Sequence, residues 1–351
     1  MKIMCCVLAV MLAGPAEAGH AVQNGAFTVG TATAARGQKV YGVIHVPAGS
    51  DAGYDIPVAV VQGARPGPVL AVVSGAHGTE YASIMAVEAL IRSVDPARVA
   101  GTLILVPIVN VNSFDKMTPH VNPTDNKSMN RYYPGTQTGT QTDRASFAIT
   151  KEVIDKCDHL IDLHGGDLDE NLRPYSYWTV TGNKAQDDLS KQMVLAFGLD
   201  HIIIAADRPK DPNASRYLEN TASVRGKASF AAEAGRSGPV DPHDVTLLAD
   251  GVRRVMAHLK MTDETFPAPP KATWVETITV SAERDGVFVP AVDRDARVKK
   301  GDRIGAITDY LNRPLQQVTA PTDGIVMFVR ALPTLHTGDT IASIGVVKDV
   351  K

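Results

Sequence analysis

An α/β layered fold followed by a small β module is what this 351-residue sequence predicts, on three observations. Short β-branched or apolar runs alternate with segments of helical spacing from residue 69 to residue 259, the pattern of a sheet with helices on both faces. A proline-rich stretch, "DETFPAPPKATW" (residues 263 to 274), then breaks that pattern and reads as a boundary. Beyond it stand two similar halves, "DGVFVPAVDRDARVKKGDRIGAI" (residues 285 to 307) and "DGIVMFVRALPTLHTGDTIASIG" (residues 323 to 345). Each opens on Asp-Gly, alternates apolar residues and closes on Gly-Asp before another apolar strand, so the pair predicts a small barrel of short strands.

Taken in order, the first residues, "MKIMCCVLAVMLAGPAEAGHA", carry one lysine, an apolar stretch too short to span a membrane, and Ala16-Glu17-Ala18 before Gly19. This is the layout of a cleavable secretion signal over residues 1–18, so the mature chain is expected to be exported, periplasmic or secreted, with no membrane association after cleavage. Cys5 and Cys6 would leave with the signal, and Cys157 would remain as a solitary core thiol. Strands are expected at residues 69–74, 102–110, 159–163, 175–180 and 201–205, and helices at 80–92, 143–156, 186–197 and 242–259. The divisions are a domain over residues 19–265, a linker at 266–274 and a β module over 275–351.

With 35 Lys+Arg against 38 Asp+Glu the formal charge is −3, and no basic block stands out. Nucleic acid is therefore excluded as the expected partner, and a small molecule or short peptide is favoured.

In α/β sheets, ligands gather where loops leave the carboxyl ends of strands. "SGAHGTEYAS" (residues 74 to 83) puts His77 and Glu80 just after one such strand, and His164 follows the run Leu160–Leu163 at the end of another. By itself His-x-x-Glu is a weak signal that occurs by chance, and a solvated turn is the better reading of it. Two histidines and a glutamate are nevertheless a sufficient catalytic zinc set, since such sites take three protein ligands and keep a fourth position for water. Asp162, two residues before His164 on the same strand, points to the same side and could orient that ligand.

Four motifs in order make the sequence specific: "GAHGTEYAS", "NPTDNKSMNRYYPG" (residues 122 to 135), "LIDLHGGDLDE" (160 to 170) and "FAAEAGRSG" (230 to 238). Together they resemble the succinylglutamate desuccinylase/aspartoacylase family of zinc carboxypeptidase-like hydrolases, from about residue 55 to the end. The resemblance implies a mixed sheet flanked by helices and a C-terminal barrel-sandwich module of the biotinyl/lipoyl-like kind. It implies one Zn2+ per chain on His77, Glu80 and His164, with Glu233 as general base and Asn130 and Arg131 holding a substrate carboxylate. The planar guanidinium of Arg131 suits that task. The implied reaction is hydrolysis of an amide bond, as in deacylation of an N-acyl amino acid. A secreted carboxypeptidase or cell-wall peptide amidase is the alternative within the chemistry, and a binding protein using the same pocket without turnover is the alternative outside it.

Many relatives carry "DGKNLNR" where this chain has "DNKSMNR", and Asn126 can keep the turn because it tolerates positive φ. Many also carry an arginine in the segment that is here "FDKMTPHVNP" (residues 114 to 123), which has none. Lys116 or His120 is the expected replacement as a donor toward the substrate carbonyl. No lysine occurs from Gly301 to Val347, which excludes a covalent biotin or lipoyl carrier.

Overall fold

The computed structural model describes residues 25–350, so the expected signal segment lies outside the described residues. A short hairpin, β1 (Phe27–Val29) and β2 (Ala32–Ala34), precedes two long antiparallel strands, β3 (Gln38–Val46) and β4 (Tyr54–Gln62). Then come β5 (Arg65–Ser74), α1 (Tyr81–Ser93), β6 (Ala100–Val106), α2 (Val111–Asp115), α3 (Gln141–Glu152) and β7 (His159–His164). The remainder of the α/β region comprises β8 (Glu170–Leu172), β9 (Tyr175–Thr179), α4 (Lys184–Phe197), β10 (His201–Ala205), α5 (Leu218–Ser223), β11 (Ala228–Glu233) and α6 (Pro242–His258).

Eight of these strands form one mixed sheet in the order β3-β4-β6-β5-β7-β11-β9-β10. The central β6, β5, β7 and β11 run parallel, while β4 and β9 enter antiparallel to their inner neighbours. Period-two side-chain alternation divides the core into two layers. Leu70, Val72, Leu103, Leu105, Ile161 and Leu163 pack under α1, α4 and α6, whereas Ala71, Val73, Ile104, Val106 and Leu160 pack on the other side with α3 and α5. Asp162 and His164 share the face of Leu160, and Asp162 is fully buried.

Helix boundaries follow local chemistry. Asn183 caps α4 through its side chain, and Gly198 ends it in the left-handed conformation at φ 95°. At the start of α3, Asp143 accepts from the N–H and hydroxyl of Thr140, both at 3.0 Å. By contrast, Glu80 occupies the cap of α1 without capping it, because its carboxylate is turned elsewhere. The expected strand at 102–110 stops at Val106: Pro107 ends the ladder and Asn110 caps α2 through the N–H of Ser113. The expected helix at 143–156 ends at Glu152 and continues as a tight turn, Ile154–Lys156. Cys157 is buried, and burial pushes its thiol up to about 12, as a core thiol requires.

Residues 261–272 carry no helix or strand. Beyond them β12 (Thr273–Ser281) pairs parallel with β10, extending the main sheet past the expected linker. Next come β13 (Gly286–Pro290), β14 (Arg297–Val298), β15 (Arg303–Thr308), β16 (Pro314–Thr319), β17 (Gly324–Arg330), β18 (Thr334–Leu335) and β19 (Thr340–Lys348). Here β12, β19, β17 and β14 continue the main sheet, while β16, β15, β13 and β18 form a second one. Phe288, Ile304, Ile307, Val326, Ile341 and Ile344 fill the space between the two. From the α/β region β8 also touches this module, pairing antiparallel with β17.

Candidate metal centre

Strand register places the central residues. β7 and β11 are parallel neighbours in which Glu233 lies beside His164, and β9 on the far side sets Tyr175 beside Glu233. His77 and Glu80 arrive from the turn after β5, the next strand of the sheet. Gly75 makes that turn possible: its φ is +68°, and a Cβ there would lie 2.8 Å from the Cα of Ile108.

His77 Nδ1 lies 2.6 Å from Glu80 Oε1, and His164 Nδ1 lies 2.9 Å from Glu80 Oε2. One ligand atom from each of the three residues falls within 4.8 Å of the others. The outer ring nitrogens also have partners: His77 Nε2 faces Ser128 Oγ at 3.2 Å, and His164 Nε2 faces Asp162 Oδ2 at 3.2 Å. Nδ1 of each histidine is thus the nitrogen turned toward Glu80, the inward position that a metal-ligating nitrogen takes. Glu80 is 3% exposed, and its carboxylate also accepts from Gly165 N–H. Burial alone would raise its pKa, but His164 and His77 hold it well below the usual carboxylate range.

A cavity of about 750 Å³ opens over this cluster, and Glu233 stands on its wall. Tyr175 donates to Glu233 Oε2 at 3.0 Å. Burial pushes Glu233 up to about 7 against the pull of His164, with the charge of Glu80 adding to the rise.

Asn130 and Arg131 line the same cavity. Asn130 is buried, with Oδ1 accepting from Leu218 N–H at 3.1 Å and Nδ2 lying 3.3 Å from His164 Nε2, so it ties α5 to a ligand of the cluster. The Arg131 guanidinium sits 4.9 Å from the Tyr217 ring centre, and that ring is also faced by Arg208 at 3.9 Å. His120 reaches the cavity too, but its ring nitrogens face carboxylates, Nε2 at 2.7 Å from Asp169 and Nδ1 at 3.3 Å from Asp167. Burial alone would lower its pKa; the hydrogen bond to Asp169 and the charges of Asp167, Asp169 and Glu170 push it up to about 9. Its N–H groups are thus engaged by the protein itself, which weakens its expected part as a donor to substrate. Lys116 is absent from the cavity lining, whereas Arg208 from the loop after β10 is part of it.

Sequence reasoning therefore names the three clustered residues, Glu233, Asp162 and Arg131, and misses Ser128, Tyr175, Tyr177, Arg208, Tyr217 and Glu219. Tyr175 and Tyr177 carried a signal in their period-two spacing, which puts both on one strand face with ring centres 5.4 Å apart. Arg208 carried only its location at the carboxyl end of a strand. His336 lines the cavity together with Arg330 of β17 and Asp339.

A mixed α/β sheet bearing a His-Glu-His cluster and a facing glutamate at its strand ends defines the class of site as a candidate metallohydrolase centre. The profile of the succinylglutamate desuccinylase/aspartoacylase catalytic domain matches residues 66–259, and the chain belongs to that family. The chain is similar to the N-alpha-acetyl-L-2,4-diaminobutyric acid deacetylase of Halomonas elongata, 24% identical over 297 residues that cover 83% of this chain and 85% of the relative. Among solved structures, the product-bound ectoine utilization protein EutE from Ruegeria pomeroyi superposes with a TM-score of 0.79 at 22% identity, covering 88% of this chain and 95% of that one. A succinylglutamate desuccinylase/aspartoacylase from Rhodobacter sphaeroides gives 0.79 at 23% identity, covering 89% and 96%. The family is one of hydrolases acting on N-acyl amide bonds.

Proposed function

We propose that this protein is an exported, zinc-dependent hydrolase that deacylates an N-acyl amino acid or a similar carboxylate-bearing amide. The observation that carries the reading is the convergence of His77, Glu80 and His164 on a shared centre, with Glu233 beside His164 in strand register. The donor set fits zinc: two imidazoles whose Nδ1 atoms face one buried carboxylate between them. His77, Glu80 and His164 would hold the ion, which when bound polarises the scissile carbonyl and lowers the pKa of water.

Within that frame the residues divide the work. Glu233 takes the proton of the attacking water and returns it to the departing nitrogen, a cycle suited to a carboxylate near neutrality. Tyr175 fixes the orientation of that carboxylate through its hydroxyl. Arg131, packed on Tyr217 at the cavity wall, offers its guanidinium to the substrate carboxylate and so orients the amide. Export rests on the residue 1–18 segment, and a diamino-acid amide of the kind named for the Halomonas elongata relative is one substrate to try.

The test is elemental analysis of the mature protein and His164→Ala side by side, followed by amine release from a panel of N-acyl amino acids and short peptides. About one zinc per chain, lost in the variant, with release from the N-acyl amino acids, supports the proposal. Absence of zinc after reconstitution would overturn it.

A further inference from the structure

We propose that Arg330 of the C-terminal module is a positioning residue for the turn that carries His77 and Glu80, acting through Asp169, His120 and Asp167. The inference deepens the metal-centre reading above and rests on it in part.

Asp167 is fully buried and serves as the hub. It accepts from the hydroxyl of Thr79 at 2.5 Å, from the backbone N–H of His120 at 2.8 Å and from that of Leu168 at 2.6 Å, and it faces His120 Nδ1 at 3.3 Å. Thr79 lies between His77 and Glu80 and is itself fully buried, so its anchor to Asp167 fixes the turn from behind. His120 adopts a φ of 61°, an uncommon conformation for a histidine that the surrounding bonds must hold. Its other ring nitrogen meets Asp169, and Asp169 Oδ2 meets Arg330 Nη1 at 3.2 Å.

Arg330 is itself built in. Its Nε donates to the Thr334 carbonyl at 2.8 Å, its Nη2 lies 3.3 Å from Asp339 Oδ2, and the backbone N–H of the next residue, Ala331, donates to the Asp169 carbonyl at 2.8 Å. With Arg330 and Asp169 both 13% exposed, solvent screening of this pair is weak, unlike that of a surface ion pair. Removing the guanidinium leaves Asp169 to pair with His120 alone, and the His120–Asp167 contact loses its fixed geometry. The first loss expected at the centre is tighter holding of the turn, because groups behind metal ligands set affinity by orienting them.

The experiment compares Arg330→Gln, Arg330→Lys and a control, Asp295→Asn, which breaks a different contact between the module and the α/β region, Arg173 to Asp295 at 2.8 Å. Three quantities are read: zinc release to a chromogenic chelator, hydrogen exchange of the metal-free protein over residues 75–83, and Tm. Arg330→Gln is expected to release zinc about tenfold faster, the low end for loss of a residue behind a metal ligand. It should also speed exchange over residues 75–83, while Arg330→Lys recovers most of both and Asp295→Asn lowers Tm without changing either. Combining Arg330→Gln with Asp169→Asn should add little to either single change, since both cut one chain of contacts. Exchange over residues 75–83 that is unchanged in Arg330→Gln, or changed equally in Asp295→Asn, would overturn the inference. Because that readout uses no metal, it stands apart from a failure of the wild type to take up zinc, which would sink the proposed function instead.

Discussion

At the scale of single residues, two substitutions separate the assigned roles. Glu233→Gln keeps the size of the side chain and its contact with Tyr175 but cannot accept a proton, so the variant should retain zinc and lose at least about a hundredfold in turnover. Parallel assays of metal content and kcat decide it, and undiminished kcat would remove Glu233 from the chemistry. Arg131→Ala should act selectively. Its guanidinium is packed on Tyr217 and turned into the cavity, so kcat/KM should fall most for carboxylate-bearing substrates; an equal fall on neutral amides would argue against a carboxylate clamp. What could be read from sequence at this scale was decided by motif chemistry. His77, Glu80, His164 and Glu233 stand in the motifs that carry the family resemblance, and their expected roles came from that resemblance. Ser128 lies inside one of those motifs with no role implied for it, Tyr175 signalled only through its alternation with Tyr177, and Arg208 stands in no motif, because a guanidinium that reaches the cavity from another loop leaves no local pattern.

At the scale of elements, α3 offers a pH-dependent test. Asp143 stands at its first turn, where it accepts from the N–H and hydroxyl of Thr140 and from Lys127 Nζ at 2.7 Å. Burial would raise its pKa, but these partners bring it below the ordinary aspartate value. A carboxyl with a depressed folded-state pKa contributes stability that is present above about pH 4, its unfolded value, and is lost as pH falls through the lower folded one. Tm followed from pH 6 to pH 2.5 should therefore fall less steeply for Asp143→Asn than for the wild type; matching acid slopes would mean that Asp143 makes no linked contribution. Helix and strand positions inside the α/β region were legible because apolar periodicity reports which face is buried. The early end of the strand at Val106 was not, since Pro107 and the Asn110 cap outweigh the apolar run that continues past it.

At the scale of the whole molecule, the proline-rich stretch marks a change of composition but not a break in the sheet. β12 pairs with β10 directly after it, and Leu172, Tyr175 and Ile203 share a core cluster with Val275, Met327 and Phe328. A chain ended after residue 265 would expose that cluster and the edge of β10, both promoters of aggregation. It is expected in the insoluble fraction on expression, and a soluble, monomeric, zinc-binding truncation by sedimentation would contradict that reading.

By itself the sequence determined the alternation of strands and helices, the family, the His-x-x-Glu turn with His164, and the repeated Asp-Gly halves, because each is written in local periodicity or in a short motif. Only the tertiary structure decided that Glu233 lies beside His164, that both ring nitrogens of His120 are taken up by Asp167 and Asp169, and that Arg330 of the last module stands behind the candidate metal turn. Those are contacts between residues tens to hundreds of positions apart, fixed by strand register and sheet order, and no local pattern of residue types encodes either.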